Sequence, residues 1–308
     1  ITEIKLPSMI EYIGSGAFQY CSNLRKINVP EQVTEIDSRA FYGCEHLSEI
    51  TIPESVEKIG YGVLGQCPNL EQIRGKYASE DHHSLVVEGT LISIASAGLS
   101  RYTTPSDVTK IGESSFDGCK SLQEIYLSQN VTTIGDRAFS GCESLISLTL
   151  PDALTDIGDS AFTNCDRLKE FYGKYTTEDH RCIIMEEKLK AFAPAGLHDY
   201  TLPAECSIID RNAFNSQELS CVTIPENISQ IYSRAFAFCS SLTTIYCKSS
   251  NPPEAVTSGS TWSSASWNAF NINSNYYCEI RINYTYYNIY NYFPNCLSNS
   301  SKFIRKYR

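Results

Sequence analysis

A repeat of 23 residues constrains this chain more than any other feature of its sequence. Val131–Pro151 shows it once: Val-x-x-Ile-Gly, then Ala-Phe-x-x-Cys-x-x-Leu, then spaced apolar residues closing at Pro151. Aligned on its central apolar residue, the unit recurs at Phe18, Phe41, Leu64, Phe116, Phe139, Phe162, Phe214 and Phe236, in steps of 23, 23, 52, 23, 23, 52 and 22 residues. A period this short is the signature of a stacked solenoid, in which no unit can bury its own apolar face alone. Each 52-residue step equals one unit of 23 plus an insertion of 29. The insertions open at Gly75-Lys76-Tyr77 and Gly173-Lys174-Tyr175, 98 residues apart, as are Cys67 and Cys165. A longer duplication therefore underlies the short repeat.

One unit can be read as one coil. In Leu24–Pro30, Ile27 and Val29 alternate with polar neighbours, the period of a half-buried strand. Pro30 ends it, because proline cannot donate to a ladder. Val33 and Ile36 mark a second short extended piece. Asp37-Ser38-Arg39-Ala40-Phe41 opens on a capping residue and fits a single helical or 3₁₀ turn, held by stacking Phe41 into the core. The Gly of each Ile-Gly pair is expected to serve a corner between strand and turn. The fold class expected is an α/β leucine-rich-repeat solenoid: a right-handed coil with a concave parallel β-sheet, short helical or 3₁₀ turns elsewhere, mostly β by content. The expected core is Phe18, Phe41, Phe116, Phe139, Phe162, Phe214 and Phe236, with Cys21, Cys44, Cys67, Cys119, Cys142, Cys165 and Cys239 at one shared repeat position.

These units resemble the BspA-like leucine-rich repeats of bacterial and protozoan surface proteins, here as Ile13-Gly14-Ser15-Gly16-Ala17-Phe18 followed by Cys21 and Leu24, and again from Ile134-Gly135 and Ile157-Gly158. Eight units cover residues 1 to 248, with hairpin insertions near 75–103 and 173–201. Departures are Val63-Leu64 in place of Ala-Phe, Gln217 in place of the repeat Cys, and one coil that is a residue short. The resemblance implies a non-enzymatic, cell-surface or secreted module for recognition or adhesion, binding an extracellular protein or glycan through the concave face and working as a monomer. Alternatives are a passive structural spacer and an accessory subunit of a surface polysaccharide-handling assembly.

Stacking would set the repeat cysteines one strand spacing apart, but parallel Cβ vectors disfavour the disulfide dihedral. They read as buried thiols acting as small hydrophobes. Whether Cys182, Cys206, Cys221, Cys247, Cys278 or Cys296 pair stays open. No Cys-x-x-Cys or Cys/His spacing suggests zinc, and no cofactor is expected. The nearest approach to a catalytic motif is Glu80-Asp81-His82-His83, echoed at Glu178-Asp179-His180. It could be a metal site or an acid–base pair. Its duplication on a structural insertion favours ordinary turn chemistry, and no catalytic residue is assigned.

The net charge of −10 argues against a general nucleic-acid or anionic-membrane surface. No apolar run is long enough to span a membrane. The chain opens partway through a unit, and any leader is expected upstream of Ile1. Outward positions of the strand row read Lys5, Asn28, Thr51, Arg74, Thr103, Tyr126, Thr149, Tyr172, Thr201, Thr223 and Tyr246. The adjoining row carries Lys26, Glu124 and Glu170. Candidate binding residues are Tyr126, Tyr172, Tyr246, Arg74, Glu124, Glu170, Lys26 and Asn28, although Thr and Tyr also simply favour strands. From Ser249 to residue 308 the sequence reads as a linker rich in Ser and Pro, a degenerate coil at Trp267–Phe270, and a cap or tail holding a strand at Cys278–Ile282.

Overall fold

The computed structural model describes residues 1–237, 239–248, 253–257, 260–261 and 279–282. It divides into two compact units, Ile1–Arg181 and Cys182–Arg308. Both are parallel β-solenoids.

In the first unit each coil contributes one strand to an outer row. The row pairs in parallel, with Ile4 opposite Ile27, Ile50 opposite Ile73, and Tyr102, Ile125, Leu148 and Phe171 in one continuous register. These central residues point inward and are buried from Ile27 onward. A second row begins with Ile13, Ile36 and Ile59 and resumes as Leu91, Ile111, Ile134 and Ile157. Alternation at period two sends every other side chain into the interior between the rows, as the sequence pattern requires. The phenylalanines stack: Phe18 on Phe41 at 5.4 Å, Phe116 on Phe139 at 5.0 Å, Phe139 on Phe162 at 5.3 Å. Phe18 and Cys21 are only partly buried, since a described coil packs on one side of theirs alone.

The Ala-Phe segments are turns, and no helix or 3₁₀ turn occurs among the described residues. Residues two before and two after the Phe take positive φ, as at Arg39 (58°) and Gly43 (73°), or Arg137 (54°) and Gly141 (71°). This left-handed pair interrupts helical bonding and turns alternate N–H groups toward the next coil. Thus Gly16, Phe18 and Tyr20 donate to the carbonyls of Ser38, Ala40 and Tyr42. The orphan groups of a one-turn helix are replaced by bonds between coils.

The 29-residue insertion is itself a coil. Arg101–Thr103 supplies its outer strand, and a hairpin takes the place of the turn: Ser84–Val87 runs antiparallel to Thr90–Ile94, whose Leu91 pairs with Ile111. Glu88 and Gly89, φ 48° and 72°, make the tight turn such a hairpin needs. The turn column consequently passes directly from residues 62–66 to 114–118, where the Gln66 N–H reaches the Asp117 carbonyl at 2.6 Å.

The second unit repeats the plan. Tyr200, Val222, Ile245 and Ile280 align in the outer row, and Leu189, Ile209, Ile231 and Ala255 in the inner row. Phe214 stacks on Phe236 at 4.8 Å. Its hairpin, Cys182–Met185 with Lys188–Phe192, carries a register shift at the same place as the first. Glu254–Thr257, within the stretch expected to be a linker, is a strand that extends the inner row. The Ser- and Pro-rich flanks hide its Glu-Ala-Val-Thr from a compositional reading. The expected strand is present as Glu279–Ile282 beside Thr244–Cys247. The expected coil turn at Trp267–Phe270, Cys278, and the cap or tail from residue 283 lie outside the described residues.

Candidate functional site

The outward row of the first unit follows the register expected from the sequence. Lys5 pairs with Asn28, Glu3 with Lys26, Thr51 with Arg74, Thr103 with Tyr126, and Thr149 with Tyr172. Strand pairing sets these side chains one rung apart, about 4.8 Å. Lys26, Asn28 and Arg74 are exposed, and Arg74 donates to Gln72 on its own strand. Tyr246 belongs to the second unit, between Thr223 and Arg281 in register.

Two tyrosines of the first unit share one local arrangement. The Tyr126 hydroxyl donates to Glu124 Oε2 at 2.6 Å, and Tyr172 donates to Glu170 Oε2. Each pair lies at i and i+2 on one strand, so both members face outward. The bond to Glu124 raises the Tyr126 phenol above its ordinary value, and Glu170 does the same for Tyr172. Arg101 pairs with Glu124 at 3.2 Å on the adjoining rung. Tyr126 keeps 52% of its surface exposed and Tyr172 38%.

The Glu-Asp-His segments are turns built alike. Asp81 accepts from the Ser79 hydroxyl and, at 3.0 Å, from the His83 N–H; Asp179 accepts from Thr177 and from the Arg181 N–H at 3.0 Å. Partial burial pushes the Asp81 carboxyl up, but the Ser79 and His83 donors outweigh it and hold the group below its usual value. His82 and His180 adopt φ 60° and 59°. Each turn caps an outer strand: the Ile73 N–H donates to the His82 carbonyl, and the Phe171 N–H to that of His180. The His180 ring then lies against Tyr172, centroids 4.8 Å apart. Among the described residues no group of three His, Cys, Asp or Glu side chains is arranged to hold a metal ion.

The profile of the BspA type Leucine rich repeat region matches in six copies over residues 1–90, 93–181 and 188–290. The chain belongs to the BspA-type leucine-rich repeat family. No curated protein matches it. Three solved structures are similar to this BspA-type chain. A leucine rich cell surface protein of Faecalibacterium prausnitzii shares 22% identity over 88% of this chain and 90% of its own, with a TM-score of 0.49. A leucine-rich repeat protein of Bacteroides ovatus shares 27% identity over 81% and 56%, with a TM-score of 0.41. The pneumococcal vaccine antigen PcpA shares 19% identity over 91% and 67%, with a TM-score of 0.50, a likeness of fold.

The BspA-type repeat also conceals a polar cluster that sequence reading missed. Asp117 is buried in the turn column and accepts from Tyr42 at 2.8 Å, Arg137 at 3.2 Å and Gln66 at 3.2 Å. Arg39 pairs with Glu113 at 2.8 Å nearby. These residues occupy repeat positions with no fixed identity, so periodicity gives no sign of them. The cluster sits where the column passes from residue 66 to 114, and satisfying a buried carboxylate there joins coils from both sides of the hairpin. Apart from the partly buried Cys21, the repeat thiols are buried, and four of them, Cys44, Cys67, Cys142 and Cys165, donate to a carbonyl of the preceding coil, as Cys142 to Phe116 at 3.3 Å and Cys165 to Phe139 at 3.1 Å. No disulfide forms among the described cysteines. Among the described residues, no helix is long and apolar enough to cross a membrane.

Proposed function

We propose that this chain is a non-enzymatic recognition module, held at or released from a cell surface, that binds extracellular proteins or glycans through the outward row of its strands. The observation that supports the reading most is the pair Tyr126 and Tyr172, large amphipathic side chains exposed on a rigid sheet and each anchored to a carboxylate. Aromatic groups on a pre-ordered surface lose little entropy on binding and dominate recognition energetics. The surface location extends to this chain what the Faecalibacterium protein is called. Family membership supports an interaction role over catalysis, because the repeat spends its fixed residues on stacking.

The test is a screen of the whole chain against a glycan array and a panel of extracellular matrix proteins. Any partner found is measured again with Tyr126→Ala and Tyr172→Ala combined. The expected result is affinity reduced at least about tenfold, the range for losing aromatic anchors. Unchanged affinity for every partner would show that this face is not the one used.

A further inference from the structure

We propose that the outward row centred on Thr149 is a glycan site, taking an extended, neutral, β-1,4-linked oligosaccharide laid across the strands. The inference rests on the recognition reading above and names the ligand class for that face.

The row runs Tyr126, Thr149, Tyr172, His180. Its first three members stand on neighbouring strands, Glu124–Tyr126, Ser147–Thr149 and Glu170–Tyr172. His180 follows because the Phe171 N–H binds its carbonyl, which places that turn where the next strand would pair. Rungs about 4.8 Å apart put the two tyrosines about 9.6 Å from each other. One rung is close to the advance of one sugar in an extended β-linked chain, and two rungs to one disaccharide. In a ribbon of this kind alternate sugars present the same face, so aromatic side chains are needed at every second rung. The three strands have that pattern, ring, hydroxyl, ring at Tyr126, Thr149 and Tyr172, and the His180 imidazole lies against the second ring.

The chemistry of the flanks agrees. Glu124 and Glu170 are carboxylates that already accept phenol hydroxyls, and Ser147 stands between them. Carboxylates and hydroxyls beside aromatic rings suit a ligand that offers C–H faces and many O–H donors. An acidic polymer is disfavoured, since Arg101 is already paired with Glu124 and the chain carries −10 overall. A protein partner would need an apolar interface core, and this row presents none beyond the two phenols.

The duplication provides an internal control. Asn28, Thr51, Arg74 and His82 lie 98 residues before Tyr126, Thr149, Tyr172 and His180. The two sets keep threonine and histidine and differ where the rings stand.

The experiment titrates the whole chain calorimetrically with cellohexaose and β-1,4-mannohexaose, using maltohexaose as a helical control. We expect a β-linked hexasaccharide to bind, maltohexaose not to, and Tyr126→Ala or Tyr172→Ala each to weaken binding about tenfold. Tyr126→Phe, which keeps the ring, should stay within about threefold, and Lys58→Ala, exposed on the other strand row, should change nothing. No binding of either β-linked hexasaccharide, or binding unaltered in the double alanine variant, overturns the inference. If matrix-protein binding falls in that double variant while neither sugar binds, the glycan inference fails and the recognition reading stands. If no partner of either kind is affected, both fail.

Discussion

The Tyr42 hydroxyl donates to Asp117 Oδ2 at 2.8 Å across 75 residues of sequence. The two belong to turns on opposite sides of the hairpin coil, and Arg137, 3.2 Å from the same oxygen, adds a third coil. Removing the carboxylate leaves a tyrosine, an arginine and Gln66 without their shared acceptor. Hydrogen bonds to a buried charge and the cost of stranding its partners set the scale, so Asp117→Ala should destabilise the first unit by about 2–4 kcal/mol. Tyr42→Phe removes one donor and should cost about 1–2 kcal/mol. Urea unfolding of each variant against the parent checks both, and a loss below about 0.5 kcal/mol for Asp117→Ala would mean the cluster is not a structural tie.

Alkaline pH should unfold the protein through groups that hold their protons more tightly folded than unfolded. Burial pushes Cys44, Cys119 and Cys239 up to about 12 and Cys206 and Cys247 up to about 11, from an ordinary 9.0. Burial, reinforced by the charge of Asp117, also raises Tyr42. Below pH 9 these groups are protonated in both states and their contribution is full. Between the unfolded and folded values the unfolded chain binds fewer protons, so stability falls as pH rises. Each such thiol removes up to about 1.4 kcal/mol per pH unit in that window. Urea midpoints should therefore change little from pH 7 to 8 and drop steeply from pH 9 to 11, less steeply in Cys119→Ala.

In the coils after the first, the glycine of each Ile-Gly pair is required by contact, not by φ. Gly60, Gly135 and Gly158 do not take positive φ. A Cβ on Gly60 would lie 2.2 Å from the Ser38 nitrogen, one on Gly135 2.7 Å from that of Glu113, and one on Gly158 2.5 Å from that of Asp136. In each case the obstacle is the backbone of the coil before, which cannot move without lifting one coil off another. Gly135→Ala should cost about 2–3 kcal/mol, at the upper end of overpacking effects. Gly98→Ala, where nothing stands within 4 Å but φ is 74°, should cost about 1 kcal/mol from conformation alone. Thermal melts that rank the two the other way would refute the contact argument.

Much of this fold is legible because a repeat writes its interior many times. Ile134, Phe139, Cys142 and Leu148 are fixed by periodicity, and all are buried. The turns are less legible. An Asp-Ser-Arg-Ala-Phe segment reads locally as a capped helical turn, while positive φ at Arg39 and Gly43 comes from bonding to the next coil. The 29-residue insertion reads as an interruption, because the pairing of Leu91 with Ile111 that makes it a coil is not local. At the outer row, Tyr126 and Tyr172 were identifiable as outward residues, since strand alternation alone decides that. Their bonds to Glu124 and Glu170 follow from spacing of two. The contact of Tyr172 with His180 depends on a turn folding back along a strand edge, and Asp117 on partners in three other coils.

Burial decides which thiols can react. Cys21 and Cys221 are partly exposed, and the other described cysteines are buried. A thiol attacks as its thiolate, so burial that raises the pKa suppresses reaction twice, by access and by charge state. Cys278 and Cys296 are first changed to serine, so that eleven of the thirteen cysteines remain. With an aromatic disulfide reagent at pH 8, at most two thiols of the folded protein should react promptly. All eleven should react in denaturant. The buried rungs should then label at rates that track local opening, and the column should open first at its weakest junction: three N–H groups join the turns of Phe116 and Phe139, whereas between residues 62–66 and 114–118 the Gln66 N–H reaches the Asp117 carbonyl and the Leu64 N–H goes to Ser93 Oγ instead. Asp117→Ala should accelerate labelling of Cys67 and Cys119, the rungs on either side of the hairpin coil, more than that of Cys165. Equal acceleration at all three would show that the coils open together and that the Tyr42–Asp117 tie is not local.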